Sequence, residues 1–191
     1  MAVILLTSFF YLKRSDHAIV PGPEPELHFI GSKKCGECHQ NFYQKWQGSH
    51  HDLAMDAATE DTVLGDFNDA DYTDPHNQVT SRFFRQDGKF LVATEGPEGS
   101  LETFEITHTC GVFPLQQYLT PFPGGRLQCL NIAWDSRDNQ WYRLPPYDVD
   151  GTTEWLHWTR GGQTWNGMCA ECHSTNVVKN FNIDSDQYNT T

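Results

Sequence analysis

Two pentapeptides in this chain share one chemical pattern, Cys35-Gly36-Glu37-Cys38-His39 and Cys169-Ala170-Glu171-Cys172-His173. Cys-x-x-Cys-His is the attachment signature of a c-type haem. Two thiols three positions apart on a helical turn can reach both vinyl groups of one porphyrin, and the following imidazole can ligate its iron. On this reading Cys35, Cys38, Cys169 and Cys172 form thioethers, and His39 and His173 are the axial ligands. The expectation is two covalently attached c-type haems. Two other readings of such pairs fit less well. Zinc ribbons place their pairs about 15–20 residues apart, and these pairs lie much further apart. A thioredoxin-like motif belongs once, beside a βαβ pattern, and no such pattern is visible.

Each iron would need a sixth ligand, and a second His would make a six-coordinate electron carrier. His51 follows the first motif by about three helical turns, and His157 sits between Leu156 and Trp158. These two are the chosen distal ligands, with His50 and His108 as runners-up. Met55 and Met168 read as packing residues. Cys110 and Cys129 lie outside both motifs, on neighbouring strand patterns. They are either a disulfide or two buried thiols.

The elements that must carry these residues can be read from periodicity. Phe42, Tyr43, Trp46, His50 and Leu53 recur at helical spacing, which predicts a helix from residue 32 to about 58, weakened at Gly48. Residues 59–78 are acidic and turn-rich and read as a solvated loop. Residues 79–96 read as a β-hairpin, because two strand patterns flank Asp87-Gly88. Residues 101–109 alternate as a third strand would, and residues 115–119 and 126–134 supply further strand patterns. The segment 141–165, rich in Trp, Pro and Gly, fits no single element.

The chain has 191 residues, with 13 basic against 25 acidic side chains and a net charge of -12. Such a balance argues against nucleic acid, whose phosphates need a basic face. The aromatic content, 13%, argues against disorder. Residues 2–12 form an apolar run too short to span a bilayer and long enough for a signal-peptide core. Residues 1–14 are therefore read as a signal or membrane-anchor segment, 15–30 as a linker containing the stiff Pro21–Pro25 stretch, and 31–191 as the folded domain. The expected location is periplasmic or otherwise extracytoplasmic.

Beyond the motifs, residues 46–55 (WQGSHHDLAM), 80–92, 114–134, 156–159 (LHWT) and 165–176 (WNGMCAECHSTN) resemble a family of bacterial multihaem c-type cytochromes. Members of that family often carry tetratricopeptide repeats after the haem region. The resemblance runs from about residue 31 to 191 and implies that this is the N-terminal part of a longer protein with further haems. A Ser-x-His segment supplies a distal ligand in that wider group, which falls here on Ser49 and His51. The implied fold is α+β and haem-packed, with short helices carrying the haem motifs and an antiparallel β segment between them. Trp46, Trp158 and Trp165 would pack near the haems.

These residues together predict single-electron transfer outside the cytoplasm, with redox proteins as partners. The alternative is a multihaem oxidoreductase acting on a small nitrogen or sulfur compound at an open axial site. A third reading, a binding module built on downstream helical repeats, has no repeat in this chain to support it.

Overall fold

The computed structural model describes residues 28–149 and 151–191. The chain divides into two units, Met1–Ile30 and Gly31–Thr191. The signal or anchor reading of residues 1–14 falls outside the described residues. Among the described residues no helix is long and apolar enough to cross a membrane.

The second unit opens with two short helices, α1 (Ser32–Cys38) and α2 (Gln40–Trp46). The helix expected to reach residue 58 ends at Trp46. Gly48 takes φ +70°, outside the helical region, and turns follow. Strand β1 (Met55–Ala57) and strand β2 (Ala70–Thr73) come next, the latter inside the expected loop. The hairpin β3 (Thr80–Gln86) and β4 (Lys89–Glu95) sits where its turn residues placed it. Asp87 and Gly88 both have positive φ, as a two-residue turn matched to strand twist requires. Then come β5 (Leu101–Ile106), β6 (His108–Cys110), β7 (Leu115–Phe122), β8 (Arg126–Cys129), β9 (Ile132–Asp135) and β10 (Gln140–Arg143). Two four-residue helices follow, α3 (Trp165–Met168) and α4 (Ala170–His173), and a small hairpin of β11 (Phe181–Asn182) and β12 (Gln187–Tyr188) closes the chain.

These strands form three open sheets. One has the order β2-β3-β4-β5, one the order β1-β6-β7-β9-β10 with β8 also on β7, and the third is β11-β12. The two larger sheets share one core. Phe83, Phe90, Val92 and Ile106 come from the first, and Tyr118, Ile132, Trp134 and Trp141 from the second. Phe67 lies at the centre, edge-on to Phe83, Phe90, Tyr118 and Trp141 at centroid distances of 5.1–5.6 Å. Phe83 stacks on Trp141 at 3.6 Å. Edge-to-face pairs of this kind add about 0.5–1.5 kcal/mol each beyond area burial. Tyr118 Oη donates to Gln116 Oε1 and accepts from the Gly65 amide.

The expected α+β haem-packed cytochrome fold is corrected by this architecture. Among the described residues there are twelve strands and four α-helices, and no helix is longer than seven residues. Ring-on-ring packing between two sheets fills the main core, with the chain's own side chains in the role assigned to haem faces. Trp158 lies within it, donating its indole N–H to the Glu95 carbonyl at 2.8 Å.

Strand β7 serves both faces of its sheet. Tyr118 points into the aromatic core, and Leu119 into a second, smaller cluster with Cys129, Trp165 and Ala170. Alternation along a strand makes this unavoidable.

Candidate functional site

The second cluster is where the cysteines meet. Register places His108 opposite Leu119, and Leu119 opposite Cys129, so the three share one row across β6, β7 and β8. Cys110 is two residues beyond His108 and lies on the same face. Strand β7 stands between Cys110 and Cys129. Two strand spacings come to about 9–10 Å, beyond the Cα separation a disulfide tolerates. The structure accordingly has Cys110 and Cys129 as free thiols.

The partner of Cys129 is Cys169, from the second pentapeptide, with Sγ–Sγ 3.9 Å. Helix α3 sets this contact. Asn166 Oδ1 accepts the Leu127 amide at 2.7 Å, and Asn166 Nδ2 donates to the Gly125 carbonyl and to Thr190 Oγ1. Thr164 forms a bridge with Gln128, and Trp165 is buried against the sheet. With α3 pinned to β8, the next turn brings Cys169 over Cys129. Met55, which pairs with Cys110 across β1 and β6, packs on the same cluster.

The electrostatics of the pair are asymmetric. The hydrogen bond from Cys129 stabilises a thiolate on Cys169 and lowers its pKa to about 7, against the opposing effect of burial. Cys129 keeps its proton far above the usual thiol range, first because it donates that bond and then because it is buried. Burial pushes Cys110 up to about 12, with the nearby Cys169 adding to the effect. Cys169 is therefore the most readily ionised of the three thiols, and Cys110 and Cys129 hold their protons more tightly.

Cys172 leaves this cluster. Its amide bonds the Cys169 carbonyl at 3.2 Å, one turn on, and its side chain lies on the wall of a cavity of about 690 Å³. That cavity gathers three of the histidines singled out from sequence, His51, His108 and His173. His108 is half-buried, its Nδ1 3.0 Å from Thr107 Oγ1, and burial lowers its pKa. His157 lies elsewhere. It is buried, with Nδ1 2.8 Å from Thr159 Oγ1 and Nε2 3.4 Å from Glu95 Oε2. Burial lowers its pKa, with Glu95 opposing. His50 faces Phe113 at 5.9 Å.

The first pentapeptide stands apart from all of this. Cys35, Cys38 and His39 are exposed, and α2 buries none of its residues. Gly36 alone is buried in α1, beneath Tyr43. A Cβ there would meet the ring at 2.8 Å, so the close approach requires glycine.

These findings correct the expected cofactor. Among the described residues no group of three or more His, Cys, Asp or Glu is placed to hold a metal ion. The two thiols of the second pentapeptide face different surroundings, Cys169 toward Cys129 and Cys172 toward the cavity. They are not presented as a pair to one porphyrin. The expectation of two covalent c-type haems is therefore withdrawn, and with it haem-based electron transfer, the multihaem oxidoreductase alternative and the metal-binding description. Sequence reasoning also missed the role of Cys129. Its one signal was its place in a strand pattern two residues from Leu127, on a face already apolar.

A family model described as cytochrome c554 and c-prime matches residues 34–82. That is about a quarter of the chain, and it includes the first pentapeptide and not the second. The resemblance to multihaem cytochromes, expected over residues 31–191, is corrected to this stretch; the remainder is a β-rich, multi-strand fold. No curated protein and no solved structure matches the chain.

Proposed function

We propose that this chain is a thiol–disulfide exchange module whose working pair is Cys129 and Cys169. The observation that carries the reading is the 3.9 Å approach of the two sulfurs, Cys129 at the end of β8 and Cys169 at the junction of α3 and α4. A formed bond needs about 2.05 Å, so the two sulfurs must close the remaining gap. The Cys169 thiolate attacks one sulfur of an incoming disulfide and expels the other as a thiolate. Cys129 then gives up its proton and attacks Cys169, expelling the second. The incoming disulfide takes two electrons and the single proton of Cys129, leaving as one thiol and one thiolate, and the chain keeps one new S–S bond.

The partners of such a module are thiol- or disulfide-bearing redox proteins or small molecules, not nucleic acid. An extracytoplasmic location, proposed from the apolar run at residues 2–12, suits a thiol pair that must cycle. The test is peptide mapping of the full chain after mild oxidation with diamide. A Cys129–Cys169 bridge that dithiothreitol reverses is expected. Absence of that bridge overturns the reading. So does a thioether adduct on Cys169 in chain produced by a host that matures c-type cytochromes.

A further inference from the structure

We infer that the Cys129–Cys169 pair also reduces hydroperoxides, with Cys169 as the thiol that takes the peroxide oxygen and Cys129 as the thiol that resolves the product. This inference rests on the thiol-exchange reading above and names a second oxidant that can charge the pair. The two sulfurs differ first in access. Cys169 is half-buried at the junction of α3 and α4, and Cys129 is 3% exposed. Neither residue lines the cavities of about 690 Å³ and about 390 Å³. An incoming disulfide must bring two substituents up to a half-covered sulfur. Hydrogen peroxide, little larger than water, brings none.

Peroxide selects among thiols by thiolate character and access, and the sulfenic acid it forms survives until a second thiol or a second peroxide meets it. Cys169 has access, and the hydrogen bond from Cys129 favours its thiolate. Cys129 has the complementary properties of a resolving thiol. It stands 3.9 Å from Cys169, and its burial with Leu119, Trp165 and Ala170 shields it from oxidants in solution. A third observation concerns the layer around them. Trp165 is 93% buried in the same cluster, and its indole N–H has no acceptor. The Cys169 amide bonds the Trp165 carbonyl at 3.0 Å, so the two side chains are one helical turn apart and share a face. Oxygen added to Cys169 brings an acceptor into a layer that holds an unmatched donor.

The bonds and electrons balance. The Cys169 thiolate attacks one oxygen of the peroxide, the O–O bond breaks, and hydroxide leaves and takes up the proton that Cys169 gave to solvent. Cys129 then attacks the Cys169 sulfur, an S–S bond forms, and the S–O bond breaks. The departing hydroxide takes the Cys129 proton. Two thiols have lost two electrons and two protons, and hydrogen peroxide has become two waters. The new disulfide is returned to two thiols by exchange with a partner dithiol, which is oxidised in its place.

The experiment treats the reduced full chain with hydrogen peroxide at pH 7 and maps every cysteine by mass spectrometry. The Cys129–Cys169 bridge is expected to form on the order of tenfold faster than Cys35, Cys38 or Cys172 is oxidised. In Cys129→Ser, Cys169 is expected to be trapped by dimedone as the sulfenic acid and, without dimedone, to pass on to the sulfinic acid. Oxidation of Cys169 no faster than that of the exposed cysteines overturns the inference, and so does a bridge from Cys169 to Cys110 or Cys172 in place of Cys129. These wild-type measurements decide the matter even where Cys129→Ser fails to fold. Diamide is run in parallel. A Cys129–Cys169 bond with diamide and none with peroxide overturns this inference alone, whereas no bond with diamide means that the exchange reading has failed first.

Discussion

The two Cys-x-x-Cys-His pentapeptides differ at one position in sequence and in nearly everything around them. The first rides on α1 and α2, helices that bury a single glycine between them. The second is bolted to a sheet through Asn166 and Trp165, and its leading cysteine is pressed against a third thiol. Local spacing makes the same turn in both places. What the turn can do depends on what the rest of the chain sets against it.

The largest expected effect removes that surrounding structure. Trp141→Ala, which empties the stacked partner of Phe83, should cost about 3–5 kcal/mol in urea unfolding. In partly unfolding urea it should raise the alkylation rate of Cys129 steeply and leave Cys35 and Cys38 at the rates they already show. Leu119→Ala strikes closer. It should cost about 2–5 kcal/mol and expose Cys110 and Cys129 to iodoacetamide in the folded chain, without moving the reactivity of the first pentapeptide.

A third difference is electrostatic. The rate of Cys169 alkylation should rise with pH through about 7, because the thiolate is the nucleophile and its pKa is held down by the Cys129 bond. Cys129→Ala removes the lowering cause and leaves burial, which raises the pKa, so the midpoint should move above 7. A midpoint that stays put would erase the distinction between the pentapeptides. The smallest effect is on the first helix. Glu37→Gln breaks the exposed pair with Lys34, and thermal unfolding should register about 0.2–0.5 kcal/mol or less.

Much of the sheet structure was legible in the sequence for local reasons. Asp87-Gly88 accepts the left-handed backbone a tight hairpin needs, whereas the single strand expected over residues 101–109 divides into β5 and β6, which belong to different sheets. Strand β2 was hidden because Asp71 and Thr73 on its exposed side look like loop. The helix past Trp46 was over-read, since Gly48 turns the chain before His50 and Leu53 can join the apolar stripe. Residues 141–165 gave no pattern, because side-chain hydrogen bonds to and from the segment hold most of it in place of a regular ladder. Gln128 donates to the carbonyls of Trp158 and Arg160, and Arg160 to those of Thr152 and Pro97. The thiol pair was invisible for a similar reason. Cys129 and Cys169 stand forty positions apart, and only docking of α3 on β8 brings them together. A motif read alone pointed to a cofactor because it could not show which way Cys169 faces.

Strand β7, with Tyr118 on one side and Leu119 on the other, sets an order of opening. The thiol layer is roofed by α3 and α4, four residues each, so the roof can lift while β7 stays paired to β6, β8 and β9. The aromatic layer has no such freedom, because its opening removes the floor on which Cys129 rests. Amide exchange should therefore be nested, with α3 and α4 exchanging through small openings and β7 only through the global one. A partner could then reach the sulfur pair through a fluctuation that leaves the rest of the molecule folded.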